Sequence, residues 1–129
     1  MTAAGGFWDY LGLRIESADA DGAVVRMDVP DALMSPFGTV HGGIVAALFD
    51  TALAVAVARR LDAADRIATH ALQVTYVAFT TARVLRCRTR AVSVRRGVAT
   101  AEGDVVADDG TLVAKALATF GLRRASEGA

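Results

Sequence analysis

The middle of the chain, residues 41–58, reads HGGIVAALFDTALAVAVA. After the two glycines almost every side chain is apolar, and the only polar ones are Asp50 and Thr51. A helix that is apolar on all sides is typical of a segment buried in a core. A carboxylate in such a setting is costly unless it is hydrogen-bonded or its pKa shifts. Because buried ionisable groups concentrate at functional sites, Asp50 is the first candidate catalytic residue.

The start of this helix is the second informative feature. We predict a helix from about residue 41 to residue 61, so that His41, Gly42 and Gly43 stand at its N-terminus, with Asp50 nine residues after the histidine. Unsatisfied backbone N–H groups and the positive end of the helix dipole make such an end attractive to negative charge. The histidine, the glycines and the acid therefore form the main functional constellation of the chain.

Strand patterns flank the helix on both sides. Alternating apolar and polar side chains predict strands at residues 14–17 and 23–29 before it, and at 68–79, 84–95, 98–107 and 111–122 after it. Turn residues at 19–22, 96–97 and 108–110 join neighbouring strands as antiparallel hairpins. A short helical turn is predicted at 7–11. This order predicts an α+β domain in which one antiparallel sheet of five to six strands wraps around one long central helix.

Composition narrows the classes of partner. Fourteen basic and fourteen acidic residues give a formal net charge of zero, which offers no support for a nucleic-acid or membrane partner. The 17-residue apolar run at 42–58 is at the short limit for a membrane span and carries Asp50 near its middle, so a core helix is favoured. With 53% hydrophobic residues, the chain is expected to associate with further copies of itself.

Length and cysteine content complete this outline. We expect one domain over residues 1–129, with flexible ends at 1–6 and 123–129. Cys87 is the only cysteine, so no disulfide forms within the chain, and it is expected to pack in a strand rather than act as a nucleophile. The first residues lack the pattern of a secretory signal, which predicts a cytoplasmic location.

Three motifs carry a family resemblance. They are Gly38-Thr39-x-His41-Gly42-Gly43 followed by Asp50, then Thr69-x-x-Leu72-x-Val74-x-Tyr76, and Asp109-Gly110-x-Leu112-Val113-Ala114. Together they resemble the hot-dog fold thioesterases, specifically the small acyl-CoA thioesterases of the phenylacetate-pathway type in the 4-hydroxybenzoyl-CoA thioesterase-like superfamily. The resemblance implies dimers whose sheets join edge to edge, pairs of dimers forming homotetramers, and active sites at the dimer interface. Such pairing would also cover the apolar edge of the strand at 68–79.

The resemblance also implies roles for individual residues in hydrolysing an acyl-CoA substrate to free CoA and a carboxylic acid. The Gly42 N–H polarises the thioester carbonyl, and Asp50 of the other subunit either activates water or attacks the carbonyl directly. An apolar setting is expected to raise the pKa of Asp50. Thr69 is implied to hydrogen-bond the carboxylate or the water, and His41 to hold the loop and the helix start. No cofactor is implied, and the two histidines show no metal-ligand spacing.

The substrate-binding set departs from the family at one position. Ser35 stands six residues before His41, where many members have an asparagine that binds the water or the carbonyl. A serine hydroxyl can still donate but is shorter, so either a different group supplies the contact or the substrate sits differently. Gly43 is expected to contact the substrate as well. Four aromatic residues either line an apolar acyl tunnel or belong to the core: Phe37, Phe49, Tyr76 and Phe79.

Six arginines and no acids lie between residues 83 and 96. Acids alternate at period two on the following strand, so Arg86, Arg88 and Arg90 are expected to pair with them across the strands. Arg95 and Arg96, near the turn, are the candidate contacts for the phosphates of CoA.

Three functions remain open at this point. The first is an acyl-CoA thioesterase. The second is a non-catalytic acyl-CoA-binding or regulatory protein on the same fold, and the third is a hot-dog dehydratase, whose histidine-plus-acid motif we do not find in the chain. Thiol release from CoA thioesters separates the first from the second.

Overall fold

A computed structural model of the protein describes residues 6–125. Its helices and strands are, in chain order, α1 (Gly6–Leu11), β1 (Leu13–Asp19), β2 (Gly22–Asp28), a short 3-10 turn (Asp31–Leu33), α2 (Gly42–Ala58), β3 (Arg66–Tyr76), β4 (Val84–Arg95), β5 (Val98–Ala107) and β6 (Leu112–Arg123). The predicted long helix and all six predicted strands are therefore present.

The six strands form one antiparallel sheet in the order β1-β2-β4-β5-β6-β3. The helix α2 packs on one face of this sheet and contacts all six strands. This is the α+β, hot-dog arrangement that the sequence predicts. It leaves β1 at one edge of the sheet and β3 at the other.

The core lies between α2 and the sheet. Leu48, Phe49 and Leu53 of α2 are fully buried there, together with Met27 of β2 and Phe120 of β6. Each such side chain contributes about 1.5–3 kcal/mol when it is removed from water. Phe49 is therefore a core residue and does not line an acyl tunnel, the other interpretation that the sequence left open.

The helix α2 is shorter than predicted at both ends. His41 precedes the first turn as its N-cap, and the helix ends at Ala58 rather than at residue 61. Beyond Ala58 the backbone amides of Arg60 and Leu61 reach back only three residues, to the carbonyls of Val57 and Ala58. Such tightened bonds are common in the last turn of a helix and end it early.

The strand β3 begins and ends before the predicted 68–79. After Tyr76, the amides of Val77 and Ala78 both donate to the carbonyl of Val113, at 2.8 and 3.2 Å. The chain then turns towards the loop before α2, where the Val40 amide donates to the Thr80 carbonyl at 3.1 Å. Residues 77–80 thereby become part of the surroundings of the helix N-terminus instead of the sheet.

The two ends of the chain differ in part from the expectation of flexibility. Residues 1–5 and 126–129 lie outside the described part of the chain. Gly6 belongs to α1 and Arg123 to β6. The Ala125 amide donates to Asp65 at 2.8 Å, and Arg124 pairs with the same carboxylate at 3.4 Å. Hydrogen bonds from the amides of Ala125 and then Asp62 lower the pKa of Asp65 below its ordinary value.

Candidate active site

The carboxylate of Asp50 faces the first half of β3. Thr69 Oγ1 donates a hydrogen bond to Asp50 Oδ1 over 2.7 Å, which is the contact that the resemblance implies. Asp50 is half-buried in the single chain. The dry setting expected from the sequence is thus incomplete within one chain, because β3 is an edge strand and no other strand of residues 6–125 lies beyond it.

A bulge in β3 aims Thr69 at the helix. Thr69 pairs with Phe120 and Ala71 with Thr119, so that His70 is an extra residue without a partner of its own in the register. Bulges of this kind re-aim the side chains around them. The imidazole of His70 lies over Gly121, where a Cβ would collide with the ring.

A small cavity opens beside Asp50 and Thr69. It has a volume of about 190 Å³ and is open to solvent in the single chain. Its other walls come from α1, α2, β3 and β6: Trp8, Thr51, Ala54, Ile67 and Phe120. Sequence reasoning did not identify Trp8, because a single aromatic residue in a short predicted turn carries no sign of where that turn will dock.

The N-terminus of α2 leaves one backbone donor available. The Gly43 amide donates to His41 Nδ1 at 2.9 Å, and the amides of Ile44 and Val45 both donate to the His41 carbonyl. Among the hydrogen bonds of residues 6–125, none uses the Gly42 N–H. His41 therefore holds the helix start, as expected, and Gly42 presents the free donor.

The peptide group between Gly42 and Gly43 is held from both sides. Tyr76 Oη donates to the Gly42 carbonyl at 2.5 Å, while the amide of Gly43 is bound by His41. Because His41 Nδ1 accepts this bond, that nitrogen carries no proton in this arrangement. A Cβ on Gly43 would lie 3.1 Å from the same nitrogen and crowd the ring. The Gly43 amide is thus engaged within the chain, and the two side chains fix the Gly42–Gly43 peptide, which directly follows the peptide that carries the Gly42 N–H.

A second cavity of about 370 Å³ adjoins Gly42. Phe37 and Phe79 stand on it with 91% and 90% of their surface exposed, and Tyr76 is half-exposed. Ser35 also lines this cavity, but its hydroxyl oxygen accepts hydrogen bonds from the amides of Phe37 and Thr39. The hydroxyls of Ser35 and Thr39 are also hydrogen-bonded to each other at 2.8 Å. The Ser35 hydroxyl is therefore engaged in shaping the loop.

The arginines of β4 pair as the alternation of charge predicts. Arg88 contacts Asp104 at 3.2 Å and Arg90 contacts Glu102 at 2.6 Å. Arg86 makes one ion pair with Asp108, which directly follows β5, and a second with Glu16 of β1. The sequence did not identify Glu16 as a partner.

Three remaining candidates lie away from the two cavities. Arg95 ends β4 and Arg96 stands in the following turn, both exposed, and neither lines the cavity at Asp50 or the one at Gly42. Cys87 is buried in β4, and this burial raises the pKa of its thiol well above the ordinary value. A buried neutral thiol packs as a small apolar side chain, as expected.

Residues 6–125 contain neither a metal-binding cluster nor a membrane-spanning helix. No three His, Cys, Asp or Glu side chains of this part lie close enough together to hold a metal ion. None of its helices has the length and apolar character that crossing a membrane requires.

The fold and the motif at Gly42 and Asp50 point to one class of protein, the hot-dog thioesterases. Residues 37–114, more than half of the chain, match the thioesterase superfamily, and the chain belongs to that family. A 57-residue segment is 30% identical to the 1,4-dihydroxy-2-naphthoyl-CoA hydrolase of Listeria monocytogenes, covering 44% of this chain and 46% of the hydrolase. The match thus spans less than half the length of that relative.

Solved structures show the same architecture. A thioesterase from Haemophilus influenzae superposes with a TM-score of 0.88 at 19% identity, over 95% of this chain and 85% of that one. A Bacillus halodurans protein whose structure contains CoA is 31% identical, with a TM-score of 0.74, over 77% of this chain and 70% of that one.

Proposed function

We propose that the protein hydrolyses acyl-CoA thioesters to free CoA and a carboxylic acid, in active sites that each use two copies of the chain. The observation that carries this proposal is the pair of groups on α2: a carboxylate oriented by Thr69, and a helix N-terminus whose Gly42 N–H is free. Thioester hydrolysis requires a base for water and a donor for the oxyanion, and these two groups supply them.

In the proposed reaction, the thioester carbonyl oxygen accepts from the Gly42 N–H. Asp50 takes a proton from a water molecule as the water oxygen bonds to the carbonyl carbon. The carbon–sulfur bond then breaks, and the departing CoA thiolate takes up the proton that Asp50 removed from the water, which restores the carboxylate. Thr69 holds one carboxylate oxygen, which leaves the other oriented for the water.

The spacing of the two groups supports a site shared between copies. Gly42 and Asp50 are eight residues apart on one helix, which places them about 12 Å apart along its axis. Reacting atoms need to approach to about 3–3.5 Å. A single thioester carbonyl therefore cannot use both groups of the same chain, whereas Asp50 of one copy and Gly42 of another can meet across an interface.

The edge strand β3 supports the same arrangement. Its 11 residues are mostly exposed in the single chain, although Leu72 and Val74 belong to the apolar set packed on the core. Pairing β3 with β3 of a second copy would extend the sheet and enclose Asp50, which lies directly behind this strand. We propose this homodimer as the functional unit, and a pair of such dimers as the homotetramer.

The proposal also gives roles to the other candidate site residues. His41 and Gly43 position the Gly42 peptide. The engaged hydroxyl of Ser35 favours the alternative in which another group supplies the contact made by the family's asparagine. Exposed Arg95 and Arg96 are proposed to contact the phosphates of CoA.

Release of free thiol from a panel of aryl, short, medium and long acyl-CoA thioesters tests the proposal. Asp50→Asn should lower kcat by about 10²–10⁴, the usual contribution of a general base. The matched control is Glu16→Gln, which removes a carboxylate at the opposite edge of the sheet and should leave kcat unchanged. Binding of the thioesters without any turnover by the wild type would instead identify a non-catalytic acyl-CoA-binding protein.

A further inference from the structure

We infer that Thr51 is a further catalytic residue, whose hydroxyl accepts a hydrogen bond from the nucleophilic water beside Asp50. This inference rests on the proposed function, since it concerns the water of the same site. It follows from three features: the Thr51 hydroxyl has no partner, its oxygen is reachable by water, and the other polar groups of the site are engaged or can only donate.

The hydroxyl of Thr51 is unengaged. Thr51 directly follows Asp50 and is the only other polar side chain of α2. Within a helix, a threonine hydroxyl often donates back to a carbonyl three or four residues earlier. Thr51 makes no such bond, and no hydrogen bond among residues 6–125 involves its side chain. Its donor and acceptor capacity is therefore left for a molecule outside the chain.

The oxygen of Thr51 is open to water. Every side-chain nitrogen or oxygen atom of residues 6–125 that is fully buried has a hydrogen-bond partner. Thr51 is only partly buried and its oxygen has no partner, so water can reach that oxygen. Thr51 also lines the cavity beside Asp50, together with Thr69. A water molecule on Asp50 and the Thr51 hydroxyl therefore share one space.

An attacking water needs two acceptors, one for each of its hydrogens. The first is the free oxygen of Asp50, because Thr69 occupies the other carboxylate oxygen. When a second acceptor holds the other hydrogen, a lone pair of the water is left to point at the thioester carbonyl carbon. Holding a nucleophile in this orientation removes part of the entropic barrier to attack.

The other polar side chains of the two cavities do not supply this acceptor. The indole of Trp8 can only donate. His41 accepts a hydrogen bond through Nδ1, so its Nε2 carries the proton and is a donor. Within residues 6–125, every hydroxyl of the two cavities except that of Thr51 is engaged: those of Ser35, Thr39, Thr69, Tyr76 and Thr80.

The inferred step is balanced. The water donates one hydrogen to Asp50 Oδ2 and the other to Thr51 Oγ1. Asp50 takes the first proton as the bond from oxygen to the carbonyl carbon forms. The second hydrogen stays on that oxygen, held by Thr51, and ends on the carboxylic acid when the carbon–sulfur bond breaks. Asp50 returns its proton to the CoA thiolate.

Thr51→Val tests the role because it keeps the shape of the side chain and removes the acceptor. We expect kcat for thiol release to fall by about 3- to 10-fold with KM unchanged, the effect of one hydrogen bond between neutral groups. Thr51→Ser keeps the hydroxyl and should restore most of the rate. The matched control is Thr100→Val on β5, which is also partly buried. Its neighbours Ala99 and Ala101 are buried, so Thr100 faces away from α2.

Methanol as a competing nucleophile separates this role from a general disturbance of α2. Methanol has a single O–H, which Asp50 accepts, so it needs no second acceptor when it attacks the thioester to give a methyl ester. In buffer containing methanol, Thr51→Val should therefore raise the ratio of methyl ester to carboxylic acid by the same factor by which it slows hydrolysis. A merely structural role would lower the formation of both products equally.

A wild-type kcat in Thr51→Val, an equal loss of both products, or a Thr51→Ser as slow as Thr51→Val would each overturn the inference. Thr51→Ala, with the best helix former at this position, replaces Thr51→Val if the valine variant does not fold. Each of these outcomes requires an active wild type. No thiol release by the wild type from any thioester would instead contradict the proposed function, and the inference would fall with it.

Discussion

The two edges of the sheet are built differently. The edge strand β1 has seven residues, a bulge between Ile15 and Ser17, and three charged side chains. Two of these make ion pairs: Arg14 with Asp28 and Glu16 with Arg86. The edge strand β3 has eleven residues, and Arg66 at its first position is its only charged one.

The contrast indicates which edge meets a second copy. Short length, charge and bulges are the means by which proteins keep an edge strand from pairing with another chain. They protect β1, whereas β3 is long and almost uncharged. The strand left open is also the one that carries Thr69 and lies in front of Asp50, so the unprotected edge and the candidate catalytic groups coincide.

Two separate variants, with a lysine on one edge strand or the other, test this contrast. We expect the variant on β3 to have the largest effect of all the changes considered. Ala71 is the central residue of β3 and is exposed, so a two-fold pairing of β3 about its centre would bring two copies of Ala71→Lys together. Like charges in such positions are destabilising. We expect this variant to dissociate to monomers on dilution and to lose all turnover in the monomer. Sedimentation velocity and thiol release at the same protein concentrations measure both.

Ser17→Lys on β1 is the matched control. It should leave both the self-association and the turnover unchanged. Dissociation of the Ser17 variant with an intact Ala71 variant would assign the interface to the opposite edge.

Removal of the Gly42 donor should have the next largest effect. Gly42→Pro deletes the N–H at the first helical position, where proline is favoured, and His41 already has the extended conformation that precedes proline, with φ −61° and ψ 134°. We expect kcat to fall by about 10²–10³, the cost of losing one oxyanion donor. Gly42→Ala keeps the N–H and should cost far less, since its Cβ would make an ordinary 3.4 Å contact with Tyr76.

The hydrogen bond from Thr69 to Asp50 can be tested by changing one side chain. Thr69→Val keeps the shape but removes the hydrogen bond to Asp50, and should lower kcat by about 10- to 100-fold, because such a bond to a charged group contributes about 1.5–3 kcal/mol. Thr69→Ser, which keeps the hydroxyl, should restore most of the rate. A rate equal to the wild type in Thr69→Val would remove this residue from the site.

The smallest effect is expected at Tyr76. Tyr76→Phe deletes the bond to the Gly42 carbonyl, which is worth about 1 kcal/mol between neutral groups. A few-fold lower kcat with an unchanged KM would indicate that Tyr76 positions the Gly42 peptide rather than binding substrate. Tyr10→Phe, an exposed tyrosine near β1, should change neither constant.

Most of the fold is predictable from the sequence, because it depends on local periodicity and on spacing. The apolar run of α2, the alternation in six strands and the charge alternation of Arg88 and Arg90 required no tertiary information. The position of His41 and Gly42 at the start of the helix was predictable in the same way, whereas the roles assigned to them come from the family resemblance.

What escaped prediction depends on contacts between distant segments. The docking of Trp8 beside Asp50 requires the packing of α1 on the sheet. The bulge at His70 requires the register of β3 against β6. The engagement of Ser35 and Gly43 within their own loop depends on where the hydroxyl of Thr39 and the ring of His41 come to lie. No pattern in the local sequence reports such distances.

One measurement tests the central claim, that each site joins Asp50 of one copy to Gly42 of another. Asp50→Asn and Gly42→Pro proteins, each inactive alone, are mixed in equal amounts, unfolded and refolded together. About half of the resulting dimers are hybrids with one intact site each, so about a quarter of the wild-type activity should return. If both groups act within one chain, every site keeps one defect, and the mixture stays as inactive as its two components.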